Sequence, residues 1–161
     1  MRGAIRTAVG MATTGLLVLA MGNPASAATM EYNTASSDNS SVNSYYCAYA
    51  KNGAGWTLAR GCFQPSGDIV FAKDNSADGW PVYTLWQNEL KDSNGNWGLY
   101  RNGKCSWSGN APSQGSCNKD MYEYSSKNAH GGVGSRVRVK SCVADLGDDT
   151  CSSWSTWILN A

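Results

Sequence analysis

Seven Trp and eight Tyr in 161 residues are the side chains with most to offer a ligand. Exposed aromatic rings stack on the apolar faces of sugar rings, and Trp and Tyr are favoured at protein interfaces. Trp80 stands in a turn after Asp78-Gly79, and Trp107 is flanked by Ser, Gly and Asn. These two are the expected exposed platforms. The other Trp residues are expected to fill a thin core that is poor in Leu and Ile.

Arg136, Arg138 and Lys140 alternate with Val137 and Val139. On a strand, alternate residues share a face, so the three cations point one way while the Val residues, Val143 among them, point to the core. Such a stripe suits an anion: teichoic acid, an acidic polysaccharide or nucleic acid. It also suits a solvated outer face whose charges discourage edge pairing. The chain has 13 basic against 12 acidic residues, too even a balance for general attraction to nucleic acid, and no nucleic-acid partner is expected.

Other constellations are weaker. Asp74, Ser76 and Asp78, followed by Gly79, match the start of a calcium loop, but its twelfth position is Leu85, where a bidentate Glu is needed. A plain Asp-Gly turn explains the run as well. No metal is favoured and no cofactor is expected. Zinc lacks a CxxC pair and has one imidazole, His130, to draw on. Arg60, beside Cys62, is expected to pair with Asp68 or Asp74 across a hairpin. Catalysis finds little to use. His130 sits beside Gly131-Gly132 with no Gly-x-Ser-x-Gly elbow in the chain. Glu31, Glu89 and Glu123 lie in no recognisable context for glycoside hydrolysis.

The compartment follows from the first residues. Arg2 and Arg6 precede an apolar run centred on Leu16-Leu17-Val18-Leu19, and Ala25 and Ala27 form the small pair before a cut. Residues 1–27 therefore read as a secretory signal peptide. Without Arg2 and Arg6 the net charge becomes −1. No second long apolar run suggests an anchor, and no membrane partner is expected after cleavage. All six Cys follow the cut. An even count in a small exported chain implies disulfides. Spacing alone does not choose the pairing; bonds between neighbours are expected, Cys47–Cys62, Cys105–Cys117 and Cys142–Cys151.

Residues 28–44 are small and polar, and read as a flexible Ser/Asn-rich leader. A single domain is expected over 45–161. Within it, short runs broken by turn residues read as strands at 45–50, 56–63, 69–73, 82–87, 97–101, 104–107, 120–125, 136–144 and 151–159. Residues 89–91 allow one helical turn. Asn102-Gly103 is the strongest hairpin signal. Residues 108–116, closed by Cys105–Cys117, read as a loop that presents an inhibitor segment to a protease or simply connects two strands. Together these imply an all-β fold: a disulfide-stabilised antiparallel β-sandwich of jelly-roll or immunoglobulin-like type, with a small β-barrel as the alternative.

The run Ala59-Arg60-Gly61-Cys62-Phe63-Gln64-Pro65-Ser66-Gly67-Asp68, with the later Asp78-Gly79 and Trp86, resembles small secreted β-rich proteins of actinobacteria of the Streptomyces type. That resemblance implies an extracellular β fold and carries no catalytic residue. The expectation is a secreted, non-enzymatic binding protein for a carbohydrate or cell-wall polymer. A protein-partner binder or protease inhibitor is the alternative, and a small secreted hydrolase comes last.

Overall fold

A computed structural model of the chain describes residues 28–42 and 46–161; the expected signal segment, 1–27, lies outside them. In chain order the strands are β1 (Met30–Thr34), β2 (Ser36–Ser37), β3 (Cys47–Lys51), β4 (Thr57–Gln64), β5 (Ile69–Asp74), β6 (Val82–Asp92), β7 (Trp97–Trp107), β8 (Ser113–Asn118), β9 (Gly131–Val143), β10 (Thr150–Cys151) and β11 (Ile158–Leu159). No α-helix occurs among the described residues. One sheet runs β1-β7-β6-β9-β10, with β11 also on β9; the other runs β2-β8-β5-β4-β3. The two pack face to face as a sandwich and do not close into a barrel.

Period-two patterning builds the centre. Val82, Thr84, Trp86, Asn88 and Leu90 of β6 alternate with less buried residues, and Val137, Val139, Ser141 and Val143 of β9 lie beside them in register. Phe63 and Val70 of the second sheet close the main core over Trp86, Val137 and Val139. Burying a side chain such as Phe63 contributes about 1.5–3 kcal/mol. The sheets approach closely at Gly61, where an added Cβ would stand 2.9 Å from the Thr84 methyl. Thr84 Oγ1 donates to the Phe71 carbonyl at 2.7 Å, so a buried hydroxyl is satisfied across the core.

Three disulfides join Cys47 to Cys62, Cys105 to Cys117 and Cys142 to Cys151. The first and third cross directly opposite positions on adjacent strands. The second ties β7 of one sheet to β8 of the other.

Several segments differ from the sequence expectation. Within the expected 28–44 leader, residues 30–37 are not a flexible approach to the domain: they hold the strands β1 and β2. β1 runs parallel to β7, and after the buried Ala35 the chain crosses to pair β2 with β8. An edge strand needs backbone partners more than apolar side chains, and Glu31 adds ion pairs to Arg101 and Lys119. The β1–β7 pair also makes the larger sheet mixed rather than purely antiparallel. Asn102-Gly103 is no hairpin: β7 runs straight through it. A Cβ on Gly103 would stand 2.6 Å from the Trp86 ring and 2.7 Å from the Glu31 carbonyl oxygen, so the glycine supplies space, not a turn. Residues 89–91 continue β6, and 120–125 form no strand. The 108–116 loop is shorter than expected, because Ser113 onward is β8, inside the second sheet.

Candidate functional site

The last segment of the chain explains the most distinctive surface. Residues 151–159 were expected to form one strand, but only their ends are strands. Between them the chain advances three residues for every two of β9. The Ser152 N–H donates to the Ser141 carbonyl and the Ser155 N–H to the Val139 carbonyl, both at 2.8 Å, and Ile158 lies opposite Val137. The serine hydroxyls complete the seam. Ser155 Oγ accepts the Val139 N–H and Ser152 Oγ accepts the Ser141 N–H, each at 3.0 Å. Each hydroxyl then donates to the next carbonyl, Ser152 to Ser153 and Ser155 to Thr156.

This period of three puts Trp154 and Trp157 in the same phase, between the outward cations of β9. Arg136 lies over Trp97 at 4.4 Å and over Trp157 at 4.5 Å from the ring centres. Arg138 lies over Trp157 at 4.5 Å and over Trp154 at 4.8 Å. Lys91 caps Trp97 at 5.5 Å. The result is a ladder in the order Lys91, Trp97, Arg136, Trp157, Arg138, Trp154. Guanidinium planes are held by ring faces here, each contact contributing about 0.5–1 kcal/mol or more as water is excluded.

Arg136, Arg138 and Lys140 do share the outer face, alternating with buried Val137 and Val139. Register extends that face across the sheet. Lys140 is opposite Leu85, Leu85 is opposite Lys104, and Lys104 is opposite Tyr32. The Lys140 and Lys104 backbones are therefore about 10 Å apart, two strand spacings. Lys104 Nζ sits 3.6 Å from the Tyr83 ring centre, and Tyr32 is 74 % exposed at the sheet edge. Two carboxylates come to this face. Glu89 accepts from Arg136 Nη2 at 2.6 Å and from Arg136 Nε at 2.8 Å. Asp149 accepts the Tyr83 hydroxyl. Burial, helped by this bond and by the Asp149 charge, holds the Tyr83 hydroxyl above its ordinary pKa, so it remains a donor. Arg138 Nε donates to Gln87 at 2.8 Å and has no carboxylate partner among the described residues.

The two expected platforms stand elsewhere. Trp107 is not exposed: on β7 it shares the inward face with Cys105 and packs against both core clusters. Its ring lies against Gly109 and Gly115, and its Nε1 donates to Ser113 Oγ at 2.9 Å. Trp80 is half-buried on the smaller core cluster and lines a cleft of about 360 Å³ with Asp74, Ser76 and Asn110. Exposed Trp56, 72 % accessible in the β3–β4 turn, was not singled out by sequence. The Asp74, Ser76 and Asp78 run is a pair of local turns. Asp74 Oδ1 accepts the Ser76 N–H and Asp78 Oδ1 accepts the Trp80 N–H. Burial, aided by Asp78 and opposed by the Ser76 bond, raises the Asp74 pKa. No group of three or more His, Cys, Asp or Glu among the described residues is arranged to hold a metal.

Arg60 does not pair with Asp68 or Asp74. Its cross-strand neighbour is Lys73. Asp68 accepts instead from the Met121 N–H and from Asn160 Nδ2, and Asp74 is turned to Ser76. His130 is exposed, edge-on to Tyr100 at 5.6 Å. Glu31, expected in a mobile leader, is bound to Arg101 and Lys119. Burial works against its charge, but these two cations hold its pKa below the ordinary carboxylate value.

The chain matches no protein-family model, and no curated protein or solved structure is significantly similar to it.

Proposed function

We propose that this is a secreted, non-enzymatic protein that binds an acidic glycopolymer along the outer face of its larger sheet. The observation that carries this reading is the stacked ladder of Arg136 and Arg138 between Trp97, Trp157 and Trp154, continued by Lys140 and Lys104. The cations are pre-positioned, so little side-chain entropy is lost when an anion arrives. Guanidinium groups donate in pairs to carboxylate or phosphate oxygens. Tyr32 offers a ring at the edge of the same row for the apolar face of a sugar.

Secretion is supported by the leader pattern of residues 1–27 and by three disulfides, which persist in oxidising compartments. No helix among the described residues is long and apolar enough to cross a membrane. A second reading rests on the Trp80 cleft, where one half-exposed ring, Asp74 and Asn110 suit the end of a neutral saccharide.

Co-sedimentation of the oxidised protein separates the two. The solids are bacterial cell wall, the same wall stripped of its anionic polymer, cellulose, chitin and starch. Retention on intact wall, reduced by stripping and by salt, is expected for the ladder face. Retention on a neutral solid that is insensitive to salt and lost in Trp80→Ala would move the site to the cleft. No retention on any solid would remove the polymer reading and favour a protein partner.

A further inference from the structure

We propose a second anion site, on the opposite outer face of the sandwich, in which Arg60 and Lys73 hold a tetrahedral oxyanion such as a phosphate or sulfate ester. β4 and β5 place Arg60 directly opposite Lys73. Alternation puts both on the outer face of the second sheet, since their neighbours Gly61 and Ala72 face the core. Like charges directly opposed on adjacent strands repel. No carboxylate among the described residues forms an ion pair with either. Arg60 Nε is buried and has no hydrogen-bond partner. A charged donor left in that state is costly unless something accepts from it.

The space beside them fits such an acceptor. Arg60 and Lys73 line a cleft of about 400 Å³ together with Asn39, Ser40, Ser41 and Gln114. Its wall is fixed: Gln114 Nε2 donates to the Ser40 carbonyl at 2.7 Å, and the Asp38 N–H donates to the Gln114 carbonyl at 3.1 Å. Asp38 also lines the cleft, but its carboxylate is engaged locally. It accepts the Ser40 N–H at 2.8 Å. A forked guanidinium, an ammonium and neighbouring hydroxyl and amide donors can each take a different oxygen of one tetrahedral anion. The small polar residues of 38–42 thereby gain a role beyond connecting β2 to β3: they wall a site whose charge the strands supply.

The test follows the Arg60 Nε–H resonance by NMR while the oxidised protein is titrated with inorganic phosphate, methyl phosphate, methyl sulfate or, at matched ionic strength, sodium chloride. A saturable shift with the oxyanions and not with chloride is expected. The relative affinities of methyl phosphate and methyl sulfate name the preferred ester. Lys73→Gln should weaken binding about tenfold or more, with its own thermal midpoint no lower than that of the unchanged protein, because a like-charge pair has been relieved. Arg138→Gln, on the other face, should leave the titration unchanged, so failure here and failure of the polymer face are separate results. An unsaturated drift that chloride reproduces, or an oxyanion response that Lys73→Gln does not alter, overturns the proposal.

Discussion

The Arg138 guanidinium lies 4.5 Å from the ring centre of Trp157, and the same ring also receives Arg136 at 4.5 Å. One indole therefore orders two cations that face solvent. The ring comes from a segment with a three-residue repeat, the cations from a strand with a two-residue repeat. The serine bonds that hold the two in step also hold the cationic face in shape.

Removing the shared ring should affect stability and binding together. Trp157→Ala is expected to cost about 2–4 kcal/mol, from lost burial and two lost cation–π contacts. Urea unfolding of the oxidised protein measures the first, and retention on acidic polymer the second. A stability change below about 0.5 kcal/mol would mean that the ladder is an incidental surface arrangement.

The seam makes a sharper prediction. Val139 is fully buried, and its N–H is taken by the Ser155 hydroxyl. Ser155→Ala leaves that donor unpaired and should cost about 1–3 kcal/mol. Unchanged unfolding together with unchanged hydrogen exchange at Val139 would contradict the role given to the hydroxyl.

Gly103 tests the reading of β7. Gly103→Ala pushes a methyl into the Trp86 ring and the Glu31 carbonyl, an overpacking expected to cost about 1–3 kcal/mol. If Asn102-Gly103 were a turn, alanine there would instead be judged by backbone conformation alone, and Trp86 fluorescence would stay as it was. A shifted Trp spectrum in the variant is the expected outcome.

Acid should loosen β1. The folded-state pKa of Glu31 lies below its ordinary 4.5, so the unfolded chain binds the proton more readily. That contribution is complete above the ordinary value and is lost as pH falls through the lowered one. Thermal midpoints measured from neutral pH down to about pH 3 should fall less steeply in Glu31→Gln. The slope should not vanish, because hydrogen bonds also hold Asp38 and Asp92 low. Parallel curves for the two proteins would show that the Arg101 and Lys119 pairs contribute nothing.

Much of the sandwich is legible in the alternation of 82–87 and 136–144 and in Cys pairs that each flank a short connection. The cationic face of β9 is legible for the same reason: period two needs no tertiary knowledge. What the sequence hides is tertiary. Asn102-Gly103 carries a turn signature, but the packing of Trp86 decides its geometry. The 28–42 stretch has few apolar residues, and the ordering of its strands comes from backbone pairing and Glu31, which composition does not register. Trp154 and Trp157 could have been tied to Arg136 and Arg138 by one signal, their spacing of three beside Ser152 and Ser155. A strand reading of 151–159 puts the two Trp on opposite faces and so obscures it. Trp107 misled through its polar neighbours, whereas its parity with Cys105 on β7 turns it inward.

The central claim is tested most directly by the salt dependence of binding to a soluble acidic polysaccharide, measured by calorimetry with the unchanged protein and with Lys104→Gln/Lys140→Gln. Neither lysine is an inward-facing core residue, so the variant should keep its fold. The account predicts binding that weakens as salt screens the cations, a shallower salt dependence in the variant, and no binding of a neutral polysaccharide of similar length. Equal binding of acidic and neutral polymers, unaffected by salt and by both substitutions, would contradict it.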